Sequence, residues 1–348
     1  MSIKSQLTFF DLLLDLYLLQ VTTTPSGKKW AHVNVKVIPG RSSNARIKLK
    51  TDAVSIWPII GFGGAVPEMT AGDFKKLNSA KKKEFIDAYS APSGLDYKML
   101  RVPVHTTGSA YVFDNVSDDF SLQHFDYNLT GDRGNGKFDF IQRVLLTKME
   151  TKILGSAWSP PSWMKLGNHS MLGSSIPCLK KDGRYQKAWA DYLVKWAITQ
   201  QNEPQNYFVE HWGSCLFSAA EQASFIGDYL GPAMRKSNKR TKLFFNDDNK
   251  IWLFDVAKLI LGNRATARYV NGCAVHWYTF DQYSALKEYK EIYLETHSLI
   301  STEATNGDPL VELFYKTDWE RAMHYAHGTI VDFVYGGSTA FLDWTMTG

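Results

Sequence analysis

A chain of 348 residues, 44% hydrophobic and 21% charged, has length enough for a large buried core and is not intrinsically disordered. Its net charge of +4 comes from scattered Lys and Arg, which excludes a nucleic-acid-binding stripe and leaves at most a preference for anionic membranes. Cys178, Cys215 and Cys273 are too few for a disulfide framework and lack metal-ligand spacing, so no metal or other cofactor is expected.

At the start, Lys4 and the apolar stretch from Leu7 to Leu19 make 1–27 a leader or signal-like segment, although Asp11 and Asp15 interrupt it. Stretches 29–37 and 45–50 alternate apolar and polar residues, so 28–57 is expected to hold strands of an incomplete β-sandwich. Two strands cannot form a stable sheet alone. No stretch is long and apolar enough for a transmembrane helix. Sequons at Asn115, Asn128 and Asn168 permit glycosylation on a secretory route.

From 58 to 348 short apolar runs alternate with helical patterns. The runs are 58–65, 98–104, 152–158, 197–202, 242–247, 272–276, 298–303 and 338–344. A strand buried on both faces needs such a continuous run, which points to a parallel sheet. Ser218 with Glu221 and Thr317 with Glu320 predict capping boxes. Gly231-Pro232 is read as stopping the first of those helices, and Gly336-Gly337 as ending the second. Eight alternations of strand and helix predict a (β/α)8 TIM barrel, here 58–348 with its last helix missing. A doubly wound open sheet is the alternative, but no Gly-rich phosphate loop opens a helix.

Polar and aromatic side chains gather at the C-terminal ends of these runs: Arg101, Trp158, Asn202 with Glu203, Asp247 with Asp248, His276 with Tyr278, Glu303, and Asp343 with Trp344. Those ends meet at one face of a barrel, where βα loops build the site. A lone surface glutamate is ordinarily a solvated charge. Glu203 and Glu303, ending opposed strands four and seven, gain meaning as a pair. Carboxyl groups ~5 Å apart support a retaining double displacement on a glycosidic bond. An ionised Glu303 would keep Glu203 protonated as acid/base, with Asn202 on the sugar 2-hydroxyl and His276 and Tyr278 orienting Glu303.

Gly61-Phe62-Gly63-Gly64-Ala65, Leu100-Arg101-Val102-Pro103, Ser156-Ala157-Trp158-Ser159-Pro160-Pro161-Ser162-Trp163 and Gln201-Asn202-Glu203-Pro204 resemble the glucosylceramidases of glycoside hydrolase family thirty. So do Ala274-Val275-His276-Trp277-Tyr278, Ser301-Thr302-Glu303-Ala304 and Leu342-Asp343-Trp344, all in the family's order. The resemblance implies a retaining, metal-free cleavage of the β-glucosyl bond of glucosylceramide, a glycosphingolipid, with Glu203 as acid/base and Glu303 as nucleophile. Arg101, Trp158, Asn202, His276, Tyr278 and Trp344 are then the candidates for substrate binding. It also implies a lysosomal or secreted enzyme assisted by an anionic membrane surface and a saposin-type activator.

Three departures predict impaired activity and marginal stability. Gly108 replaces a carboxylate that the family carries shortly after Arg-Val-Pro. The helix 185–195 runs straight into Trp196 and strand four with no Gly, Asn or Pro to turn the chain, whereas such loops need ~2–6 residues. The chain also stops right after strand eight. A catalytically inactive glycan- or lipid-binding homologue, a truncated gene product, or another β-glycanase of the family are the alternative readings.

Overall fold

The computed structural model describes residues 19–22, 26, 31–34, 55–105, 111–168, 174–177, 179–199, 206–210, 215–237, 240–307, 314–315 and 317–347. They fall into two units, 1–54 and 55–348. In the first, β1 (Leu19–Thr22) pairs antiparallel with β2 (Ala31–Asn34), Gln20 opposite Val33. Part of 29–37 is thus a strand, and so is the end of the leader-like segment. The stretch 45–50 lies outside the described residues.

The second unit is a closed barrel of eight parallel strands. Around it run β3 (Gly61–Ala65), β4 (Met99–Pro103), β5 (Lys152–Ala157), β7 (Asn206–Glu210), β9 (Lys242–Asn249), β10 (Gly272–His276), β11 (Ser298–Glu303) and β12 (Ser338–Asp343), with β12 closing onto β3. Two further strands, β6 (Ser174–Pro177) and β8 (Cys215–Leu216), form a small separate parallel sheet. Seven of the eight expected barrel strands fall on the apolar runs that predict them. Inside the barrel Met99, Leu154, Phe244, Ala274, Ile300, Ala340 and Leu342 form one buried cluster. The opposite strand faces, including Leu100, Ile153, Leu243, Val275 and Leu299, join the larger core under the helices. Burial on both faces is why these strands read as unbroken apolar runs.

The eighth strand differs. The expected strand 197–202 is not one: its first three residues extend the helix Gly183–Thr199, and the barrel strand is β7. The helix has good reason to continue. Trp189, Tyr192, Leu193, Trp196 and Ala197 are all buried, and no helix-breaking residue intervenes. The next β-prone sequence, Tyr207-Phe208-Val209, takes the place in the sheet. In consequence Asn202 and Glu203 precede the fourth barrel strand in the chain, and Glu210 ends it.

Both capping boxes form, each with reciprocal bonds between hydroxyl and glutamate. Gly337 ends the last helix in the left-handed conformation, φ 67°. Gly231-Pro232, however, does not stop its helix. The chain widens to a π-turn over Phe225–Leu230, the Gly231 N–H reaches Ile226 O, and helix resumes over Gly231–Ser237. The wider turn accommodates the missing proline N–H. A Cβ on Gly231 would meet the Tyr269 ring. Among the described residues no helix is long and apolar enough to cross a membrane.

Gly272, in a barrel strand, and Gly72, on an open helix face, should respond oppositely to a methyl group. A Cβ on Gly272 would run into the backbone carbonyl of Ser298 in the neighbouring strand, whereas one on Gly72, within the helix Glu68–Lys76, meets nothing within 4 Å. Gly272→Ala should cost ~1–3 kcal/mol through overpacking, and Gly72→Ala should add ~0.5–1 kcal/mol. Urea unfolding of the two variants measures both, and equal responses would contradict this packing.

Candidate functional site

Side chains from five barrel strands converge on one buried charge cluster. Arg101, from β4, is wholly inaccessible to solvent. Its Nη2 donates to Asp247 Oδ2 at 2.8 Å and its Nη1 donates to Glu303 Oε2. Burial alone would lower the arginine pKa, but the Asp247 and Glu303 carboxylates beside it raise it above the usual value, so the guanidinium stays charged.

Asp247 collects further donors: Ser156 Oγ at 2.9 Å, Thr302 Oγ1 at 2.5 Å and His276 Nε2 at 3.1 Å. Facing a carboxylate, that histidine nitrogen carries the proton. Its other nitrogen, Nδ1, lies 3.9 Å from Glu303 Oε1, which accepts the Tyr278 hydroxyl at 3.0 Å. Glu303 thus receives a donor on each oxygen, a cation on one and a phenol on the other.

Two irregularities in the sheet create this geometry. Between β9 and β10 the register runs Ala274 to Asn246 and then Val275 to Asp248, so Asp247 is an extra residue. Asn246 and Asp247 have left-handed φ of 76° and 51°. Between β10 and β11, Val275 faces Ser301 and His276 faces Glu303, which leaves Thr302 as the extra residue. In a regular strand Thr302 and Glu303 would point to opposite faces. The bulge lets both reach the same cluster.

Trp158, just past β5, and Trp344, just past β12, stack at 5.2 Å with their planes 28° apart. The Arg101 guanidinium carbon lies 5.7 Å and 5.5 Å from the two rings. Beside Trp344, Asp343 accepts the Tyr97 hydroxyl. Burial raises the Asp343 carboxyl pKa, and that hydrogen bond partly opposes the rise.

Of the residues singled out from sequence, Arg101, His276, Tyr278 and Glu303 share one hydrogen-bonded cluster, and Trp158 and Trp344 flank it. Asn202, Glu203 and Gly108 lie outside the described residues. The sequence marks Asp247 at a strand end and Ser156 and Thr302 within family-like motifs, but assigns none of the three a role. The run Asn246-Asp247-Asp248 directly after an apolar strand was the available signal. A cavity of about 430 Å³ opens at the other end of the barrel, around Ile60, Lys152, Lys242 and Ser298. No carboxylate lines it among the described residues, so it is not a rival for acid–base chemistry.

Next to the cluster, His105 is fully buried, with Nδ1 2.9 Å from the Tyr192 hydroxyl and Nε2 2.8 Å from Ser159 O. Burial pushes its pKa from 6.5 down to about 3. Below pH 6.5 the unfolded chain binds a proton that the native imidazole refuses, so stability falls down to about pH 3. Each pH unit across that window costs up to ~1.4 kcal/mol. His105→Gln should lose stability at pH 7 yet close the gap to the unaltered chain as pH falls to 4. Urea midpoints across pH test this, and parallel curves would mean that the native histidine titrates normally.

Residues 59–347 match the glycosyl hydrolase family 30 TIM-barrel domain. Putative glucosylceramidase 4 of Caenorhabditis elegans is 30% identical over 333 residues, 89% of this chain and 63% of that protein. Lysosomal acid glucosylceramidase of Mus musculus is 29% identical over 311 residues, 82% of this chain and 59% of that protein. The chain thus spans about three fifths of each relative. The crystal structure of SrfJ from Salmonella typhimurium shares the fold, with a TM-score of 0.74 at 23% identity over 93% of this chain and 73% of that one.

Proposed function

The chain belongs to glycosyl hydrolase family 30, and on that premise we propose that it is a retaining β-glycosidase acting on the β-glucosyl bond of glucosylceramide. The observation that carries the reading is Glu303, a carboxylate held by Arg101 and Tyr278 at the C-terminal rim of the barrel, beside two stacked indoles. A guanidinium contact keeps a carboxylate ionised. The two hydrogen bonds fix its orientation while each oxygen keeps a lone pair for attack.

In this mechanism Glu303 attacks the anomeric carbon as a second carboxyl protonates the departing glycosidic oxygen. The products of that step are ceramide and a glucosyl ester on Glu303. The second residue, now a carboxylate, takes a proton from water, whose oxygen attacks the same carbon and frees glucose and Glu303. The faces of Trp158 and Trp344 suit stacking on the sugar. Arg101 and His276 hold the charge pattern around Glu303, and Asn202 serves the 2-hydroxyl.

Family resemblance gives the acid/base role to Glu203. The strand order favours a competitor, Glu210, whose Cα is level with Ala157 at the C-terminal end of β7. If neither reaches the site, the chain binds glycolipid without turning it over. The names of the two relatives support a glycosphingolipid substrate and a lysosomal setting. An anionic bilayer, a saposin-type activator, and glycans on the exposed Asn115 and Asn128 fit that setting.

Four proteins assayed on 4-methylumbelliferyl and 2,4-dinitrophenyl β-glucosides separate these readings. Glu303→Gln should lose on the order of 1000-fold or more on both substrates. Replacing the true acid/base by Gln should cost ~100- to 10,000-fold where the leaving group needs a proton, and far less on the dinitrophenyl glucoside. Glu203→Gln is expected to behave so and Glu210→Gln to stay near the unaltered chain. Full activity in Glu303→Gln would end the proposal.

A further inference from the structure

Glu303 sits at the end of a strand whose register with both neighbours breaks before it. On one edge β11 meets β10 through the bulge at Thr302. On the other, Leu299 faces Ser338 but Ser301 faces Phe341, a second irregularity that ends at Ser301, where the first begins. Past Ser301 single backbone bonds, from Trp277 N–H to Glu303 O at 3.3 Å and from Trp344 N–H to Ala304 O at 2.8 Å, hold the strand end from its edges without a reference on the helix side.

A buried tie behind the sheet supplies one. Asp332, with no exposed surface, opens the π-turn Asp332–Gly336 at the end of the last described helix. Its Oδ2 accepts the Ser301 hydroxyl at 2.7 Å and its Oδ1 accepts Lys250 Nζ at 2.8 Å. Ser301 Oγ also lies 3.1 Å from Ser338 Oγ on β12. Lys250 follows Asp247 by three residues on the exit from β9, and Ser301 precedes Glu303 by two. One carboxylate on the helix layer thus fastens the two strand exits that carry the two acids of the central cluster.

We infer that Asp332 is a positioning residue for Glu303: through Ser301 and Lys250 it sets the depth at which the end of β11 offers its carboxylate to Arg101. The inference rests on the reading of Glu303 as nucleophile. An ion pair serving stability alone needs no bond to Ser301. A serine two residues from the reactive acid, where the register breaks on both edges of its strand, makes the tie specific to that acid. Loosening it draws Glu303 away from Arg101, slows attack and raises the pKa of the carboxylate.

The decisive variant is Ser301→Ala in the full chain, which leaves the Lys250–Asp332 pair intact. The probe is 2,4-dinitrophenyl 2-deoxy-2-fluoro-β-glucoside. Glu303 forms an ester bond to its anomeric carbon as dinitrophenolate leaves with the bonding electrons. Dinitrophenolate release and intact mass follow the reaction from pH 4 to 8. Ser301→Ala should label on the order of 10- to 100-fold more slowly at saturation, with unchanged probe affinity and a thermal midpoint lower by only a few degrees. Its acid limb should move to higher pH, and Ser301→Thr should restore rate and limb together. The double variant Lys250→Met/Asp332→Leu, which removes both charges at once, should reproduce the defect if Ser301→Ala does not fold. Labelling of Ser301→Ala at the unaltered rate and pH limb overturns the inference while leaving the nucleophile in place. Absence of labelling in the unaltered chain, or labelling that survives Glu303→Gln, overturns the nucleophile reading itself and the inference with it.

Discussion

One guanidinium between two carboxylates, sealed from water at the top of the barrel, is the constraint around which the rest is arranged. Arg101, Asp247 and Glu303 come from three separate strands and are at most 9% exposed at their side chains. Moving such charges out of water costs several kcal/mol per ion, recovered only when the geometry is good and every remaining lone pair has a donor. That requirement accounts for Ser156, Thr302, His276 and Tyr278. Each supplies a donor to one of the two acids, so the second carboxylate is tolerated beside a single cation. Deleting one partner would strand the others, and breaking buried pairs of this kind costs ~3–5 kcal/mol.

The sheet yields locally to satisfy the cluster. A regular parallel strand sends successive side chains to opposite faces. The cluster needs Asp247, Thr302 and Glu303 all at the same place. Two bulges on either side of β10 meet that need, and the left-handed backbone at Asn246 and Asp247 is their local cost. The helix layer compensates from outside, through the buried bond between Asp332 and Ser301.

Much of this was legible in the residues. Apolar runs such as 272–276 and 298–303 coincide with strands because both faces of a barrel strand are buried, and capping boxes at Ser218 and Thr317 announced their helices through local chemistry. The candidates Arg101, His276, Tyr278 and Glu303 were recognisable as polar ends to apolar runs. Pattern failed where two elements compete for one stretch. Residues 197–199 suit a buried helix as well as a buried strand, and tertiary packing of Trp196 and Ala197 decides for the helix. At Gly231-Pro232 it failed because a π-turn absorbs what a regular helix cannot. The bulges were invisible for a different reason: whether an extra residue sits in one strand depends on its partner, which lies far along the chain.

The closure of the barrel has a kinetic side. Arg101 and Glu303 are 202 residues apart in sequence, and β12 must return to β3 to seal the sheet. Contacts of such span are entropically expensive until the intervening strands are already docked, and proteins rich in them fold slowly. Until that last seam closes, the arginine and its two acids remain solvated and apart, and the open edges of β3 and β12 are free to pair with another chain. Contacts of that span place the charge cluster with the closure that removes the open edges of β3 and β12. The longer that interval lasts, the more those edges are exposed to other chains.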